Sequence, residues 1–283
     1  MIRIDTEGPT GEKYKEWSDE ARRARAKMLG KWKADKKNVP NLDQHVWKKL
    51  KQIFLNDLFH KKCAYCEGKV SGHFPLDVEH YRPKKEVTEG RVAIEHQGYF
   101  WLAYEWYNLI LACRDCNSYH SYCTNEDEND SHPGKANEFR ITGKRVCEPA
   151  DDPETWQMEL QEEKPLLLNP YLDYPEKDIS FKPTGTVYPN KNSERGRETI
   201  EVCHLNRPEL VEARMDATDR LFKKMNDEMS APTEGYFFSP SDPYSAWLNY
   251  FTVLKLKEIM KRYGHDLDQE HQDASLSPAG TAP

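Results

Sequence analysis

The sequence predicts an α+β protein with a helical front, a cysteine-stapled centre and a mixed rear, and three observations in its 283 residues support this. Leu42, Val46, Trp47, Leu50, Ile53, Phe54 and Leu58 recur every three or four residues, as do Trp247, Tyr250, Phe251, Leu254 and Ile259. Each set draws one apolar stripe along a helix. Two Cys-x-x-Cys pairs, Cys63/Cys66 and Cys113/Cys116, enclose the centre, and Ile179-Ser180-Phe181 with Thr186-Val187-Tyr188 flank Thr184-Gly185 as a short hairpin. The expected boundaries are 1–60 for a helical N-terminal arm, 61–125 for the stapled core, 126–264 for a mixed α/β extension and 265–283 for a disordered tail.

At 37% hydrophobic and 31% charged, the chain can bury a core without disulfides while keeping a wet surface. It has no apolar run near the ~20 residues of a membrane span, and Met1-Ile2-Arg3-Ile4-Asp5 lacks the apolar core of a signal peptide. The expectation is a cytoplasmic protein, where cysteines stay reduced and paired Cys-x-x-Cys means metal ligation. Charge is uneven: residues 1–62 hold 16 Lys and Arg against 9 Asp and Glu, leaving 25 against 39 elsewhere. A basic front on an acidic protein is either a nucleic-acid contact or a solvated helical face.

In chain order, residues 12–37 are helix formers dense in charge, and Pro40-Asn41 breaks them from the helix expected over 42–58. A polar loop over 83–98 follows, where Arg82, Lys84, Lys85 and Arg91 are placed to meet phosphates. The run over 99–107 is too aromatic for the surface and reads mostly as core. Residues 125–130 with Pro133-Gly134 read as an exposed acidic loop. Helices are expected near 197–203, from Pro208, and over 246–260. The apolar face of the last helix either docks a partner or caps its own core. Cys123, Cys147 and Cys203 read as small buried hydrophobes.

Two Cys-x-x-Cys turns supply four thiolates at the bite tetrahedral zinc wants, and the 46 residues between Cys66 and Cys113 leave room for something mounted between the knuckles. That insert contains Asp77-Val78-Glu79-His80. Phosphodiester cleavage needs a base to activate water and a cation to stabilise the departing oxygen, and this segment offers both kinds of group. In a strand, Asp77 and Glu79 share one face and His80 takes the other, so joint action needs a bend at the strand end.

Asp77-Val78-Glu79-His80, Asn108-Leu109 and Cys116-Asn117 together resemble the three parts of an HNH endonuclease with a ββα-metal core. The resemblance implies that His80 is the general base, that Glu79 and Asn117 are ligands of a catalytic Mg²⁺ or Mn²⁺, and that Asn108 braces the loop and orients the base. Asp77 is either a further ligand or an acceptor behind the ligands. Cys63, Cys66, Cys113 and Cys116 then hold a separate structural Zn²⁺, because thiolates favour zinc and oxygens favour magnesium. Cys63-Ala64-Tyr65-Cys66-Glu67, Glu79-His80-Tyr81-Arg82-Pro83-Lys84, Trp101-Leu102-Ala103-Tyr104, Leu168-Asn169-Pro170 and Leu205-Asn206-Arg207 are similar to the HNH subunit of Septu anti-phage systems, also found with some retrons. That likeness implies a nucleic-acid substrate, DNA ahead of RNA, and gating by a partner ATPase. One departure is His120, where that family often has Lys; a phosphate contact there becomes pH-dependent or is lost. The competing class is a non-catalytic, zinc-stabilised module that binds nucleic acid or protein.

Overall fold

The computed structural model describes residues 1, 3–4, 8–69, 75–118, 120–121, 131–132, 134–152, 155–230, 239 and 241–262. It is a mixed α and β fold with helices at its N-terminal end. Helix α1 (Glu12–Ala34) turns Trp17, Ala21, Met28 and Trp32 inward on one face. The Trp17 indole donates to the Val46 carbonyl at 2.7 Å, tying α1 to α2 (Gln44–Lys48), whose N-terminus Asp43 caps through the His45 N–H. The single helix expected over 42–58 is broken into α2, α3 (Lys51–Ile53) and a π turn, Phe54–Leu58. The wider turn, closed by Phe59 N–H on the Phe54 carbonyl at 2.8 Å, lets Phe54 and Phe59 pack together as the chain swings into Cys63.

Strand β1 (Leu76–His80) pairs antiparallel with a later strand, Leu109–Cys113, setting Leu76 opposite Cys113 and His80 opposite Leu109. Between them lie a small hairpin, β2 (Thr88–Glu89) with β3 (Val92–Ala93), and two 3-10 turns, Phe100–Leu102 and Trp106–Asn108. The later strand is β4, buried along its whole length, and α4 (Arg114–Asn117) follows it directly. The second cysteine pair and Asn117 therefore arrive beside β1. Strands β5 (His120–Ser121) and β6 (Ser131–His132) pair next. The rear consists of α5 (Trp156–Gln161), α6 (Pro175–Asp178), the hairpin β7 (Ile179–Phe181) with β8 (Val187–Pro189), α7 (Glu194–Val202), α8 (Pro208–Ser230) and α9 (Ser245–Arg262). The hairpin is the expected one, with Gly185 at φ +83 in its turn, where a Cβ would lie 2.4 Å from the Val211 carbonyl.

One hydrophobic cluster runs from Met1 to Phe251 and includes Tyr99, Phe100, Trp101 and Tyr104, so most of the aromatic run is core. On α9, Trp247 and Phe251 are buried against each other, Trp247 also meets Phe181, and its indole donates to Thr218 Oγ1 at 2.6 Å. These two rings cap the protein's own core and are not a docking face, while Leu254 of the expected stripe is exposed. Cys203 is buried as expected, but Cys147 is exposed. Cys123, the acidic segment 125–130 and the tail 265–283 lie outside the described residues. Among the described residues no helix is long and apolar enough to cross a membrane.

Candidate active site

The two cysteine pairs converge. Cys63 and Cys66 sit on the turn after the π segment, Cys113 ends β4 and Cys116 lies in α4, and the four buried sulfurs are all within 4.8 Å of one another. Cys113 N–H donates to Cys63 Sγ at 3.3 Å and Gly68 N–H to Cys66 Sγ at 3.4 Å. From the distal Leu205-Asn206-Arg207, the Arg207 guanidinium donates to Cys116 Sγ at 3.5 Å and reaches Cys113 Sγ at 3.9 Å. Burial opposes the Arg207 charge, yet Cys116, Cys66 and Cys113 hold its pKa above the ordinary value. Four thiolates on one divalent ion leave two negative charges, so backbone N–H groups and a buried cation at the sulfurs suit a structural zinc.

Beside this centre is a cleft of about 270 Å³ lined by Glu79, His80, Lys84 and Asn117, with residues 134–137 contributing Ala136 and Asn137. His80 closes β1 on its buried side, 4% exposed, with Trp47 edge-on at 4.9 Å between ring centroids. Its Nε2 lies 3.1 Å from the Ala103 carbonyl oxygen. A carbonyl only accepts, so this nitrogen carries the proton. Burial, reinforced by Lys84 and Lys135, holds the ring well below the usual histidine pKa, so it is neutral at pH 7. Nδ1 is then a buried lone pair, and it has no partner.

Glu79 is half-buried; burial raises its pKa against Lys84, Lys135 and a hydrogen bond from Asn117. Asp77 is 67% exposed and pairs with Lys51 at 2.9 Å, away from the cleft lining. Asn108, 1% exposed, also stays out of the cleft. Its Oδ1 accepts from Arg82 N–H at 2.8 Å, its Nδ2 donates to the Arg82 carbonyl at 3.2 Å, and its carbonyl accepts from Tyr81 N–H at 2.8 Å. The structure thus brings Glu79, His80 and Asn117 into one cleft and puts Asn108 behind the loop that leaves β1.

Of the cations expected to meet phosphate, Arg82 is withdrawn: it is buried against Glu163 at 2.9 Å and donates to the Leu160 carbonyl. Lys84 lines the cleft, while Lys85 and Arg91 are exposed. Sequence reasoning missed Lys135. It is 1% exposed, donates from Nζ to the His80 carbonyl at 3.0 Å, and its backbone N–H reaches the Cys116 carbonyl at 2.9 Å. Burial lowers its pKa to about 8 against the pull of Cys203 and Glu79. The available signal was Gly134 just before it: a Cβ there would sit 2.3 Å from the Ser118 carbonyl oxygen, so this glycine marks a close approach to α4.

No family model matches this chain. The chain is similar to the Septu protein PtuB. With that protein of Bacillus mycoides strain KBAB4 it shares 34% identity over 161 residues, 56% of this chain and 48% of PtuB. It is also 30% identical over 168 residues to the Septu protein PtuA of the same strain, 58% of this chain but 20% of PtuA. The match therefore spans about half of PtuB and a fifth of PtuA, and the relationship is a distant one to two Septu proteins.

Proposed function

We propose that this chain is a metal-dependent HNH endonuclease that hydrolyses nucleic-acid phosphodiester bonds, DNA ahead of RNA. One observation carries this reading: Glu79, His80 and Asn117 share a cleft in which a neutral imidazole has one nitrogen fixed by the Ala103 carbonyl and the other without a partner. In this reading, strands β1 and β4 with the short α4 correspond to the ββα unit of such an enzyme. His80 accepts the proton of the attacking water at Nδ1, in the tautomer that its Nε2 contact dictates. Asn108 fixes the loop at Tyr81 and Arg82, and Lys135 holds the His80 carbonyl, so the ring is positioned before substrate arrives.

Glu79 and Asn117 offer two oxygens, and a carboxylate whose pKa is raised by burial gains from a cation; both fit Mg²⁺ or Mn²⁺ holding several waters. Such an ion would stabilise charge on the departing oxygen. The similarity to two Septu proteins supports a role as effector nuclease of an anti-phage defence system, gated by a partner ATPase.

The test is nicking of supercoiled plasmid by the zinc-loaded protein with added Mg²⁺. His80→Ala is expected to slow cleavage ~10²–10⁴-fold, the usual contribution of a general base, without loss of bound zinc. Binding without cleavage by the wild-type protein and any available partner would decide for the non-catalytic module.

A further inference from the structure

A second cavity, about 880 Å³ against about 270 Å³ for the cleft, lies behind the same loop. His80 and Pro83 line the cleft, whereas Tyr81 and Arg82 line this cavity, so four consecutive residues form one wall with a space on each side. Trp106, Tyr107 and Tyr171 give it aromatic faces. The Tyr171 hydroxyl is already committed to the Leu109 carbonyl at 2.9 Å, so that residue can offer the cavity only its ring. Gln157 and Gln161, exposed and four apart on α5, bring two amides to the rim. Each amide both donates and accepts.

Charge nearly cancels. Arg195 pairs with Asp173 at 2.5 Å, Arg82 with Glu163 at 2.9 Å, and Lys164 and Glu194 add one charge of each sign. A cavity with flat apolar faces, amide edges, both arginines paired and at most one excess charge suits an uncharged planar heterocycle better than an anion.

We propose that this cavity is a nucleobase-binding site. The base comes either from a strand engaged at the His80 cleft or from a free nucleoside. Only the first source rests on the nuclease reading, and occupancy from either side bears on the wall that ends in His80.

The test is calorimetric titration of the full, zinc-loaded protein with adenosine, guanosine, cytidine and uridine in turn. Saturable sub-millimolar binding of at least one is expected, unaffected by inorganic phosphate and retained in His80→Ala, so the result does not depend on cleavage. Trp106→Leu should weaken it about tenfold or more, as loss of base stacking does. Trp106 also packs on Gly8 and Tyr171, so the paired Gln157→Ala, Gln161→Ala change on the exposed side of α5 is the variant that spares the fold, and it too should weaken binding. An oligonucleotide bearing 5-iodouracil that crosslinks to Trp106 or Tyr107 assigns the base to a strand; nucleoside binding without that crosslink assigns it to a free ligand. Absence of saturable binding by all four nucleosides, competition by phosphate, or binding unchanged in the Gln157/Gln161 variant would overturn the proposal.

Discussion

The cysteine centre and the His80 cleft both draw on α4, yet the sulfurs and the imidazole are treated in opposite ways. At the sulfurs, backbone N–H groups and Arg207 meet the negative charge, and the four cysteines could fill the coordination of a tetrahedral ion. In the cleft, burial leaves His80 Nδ1 without a donor and works against the Glu79 charge. Paired polar groups help to hold a fold together, whereas an unpaired buried one costs stability and calls for a reason. The difference supports the proposed division, with stability at the cysteine centre and chemistry in the cleft.

The sharpest way to break that contrast is Cys113→Ser. Structural zinc contributes ~10–16 kcal/mol in small zinc folds, against a whole-domain stability of ~5–15 kcal/mol. The variant is expected to lose its metal and its cooperative melt, read by zinc content and circular dichroism. A Cys113→Ser protein that melts like wild type would abolish the distinction. Lys135→Met probes the other centre: freeing the His80 carbonyl should lower kcat about 10²-fold, the scale of a small misplacement, with KM and zinc nearly unchanged and partial rescue by Lys135→Arg. Equal loss in the Arg variant would mean that Lys135 matters only for packing.

Arg207→Met tests whether the distal rear supports the metal. Zinc affinity should fall about 10–100-fold, typical of an outer partner, while turnover per zinc-loaded molecule stays put. Competition with a zinc chelator measures the first and plasmid nicking the second.

The smallest effect is on acid stability. Burial keeps folded His80 well below the ~6.5 of an unfolded histidine. Above that pH neither state is protonated and the stability is fully present; as pH falls through it, the unfolded chain takes up a proton that the folded ring refuses, and stability is lost. Between about pH 7.5 and about pH 5, wild type should lose more stability to urea than His80→Phe, by at most ~1.4 kcal/mol per pH unit below 6.5. Equal losses would remove His80 from the acid response.

Several of these features were legible in the sequence for physical reasons. A Cys-x-x-Cys turn has a fixed bite, so two pairs implied one cluster without knowledge of the path between them. The hairpin around Gly185 and the apolar stripe from Leu42 to Leu58 followed from local periodicity. The π turn did not, because one extra residue in a helical turn leaves the apolar spacing almost unaltered. In the cleft, Glu79 and His80 are neighbours in sequence and Asn117 adjoins a cysteine, so local motif reading reached them. Lys135 and the Ala103 carbonyl were out of reach: one is a lone lysine and the other a backbone atom, and each meets His80 only through tertiary folding. Arg82 failed in the opposite direction, since a cation beside a motif looks available until Glu163 is found beside it.

Arg207 also sets a timetable for biosynthesis. All four cysteines leave the ribosome before it, and the arginine that meets Cys116 follows 91 residues later. At ~5–20 residues per second the nascent knuckles wait roughly 5–20 s for their counter-charge. Any zinc bound during that interval would sit in an anionic centre without this counter-charge, so metal-scavenging thiols would compete best on the unfinished chain.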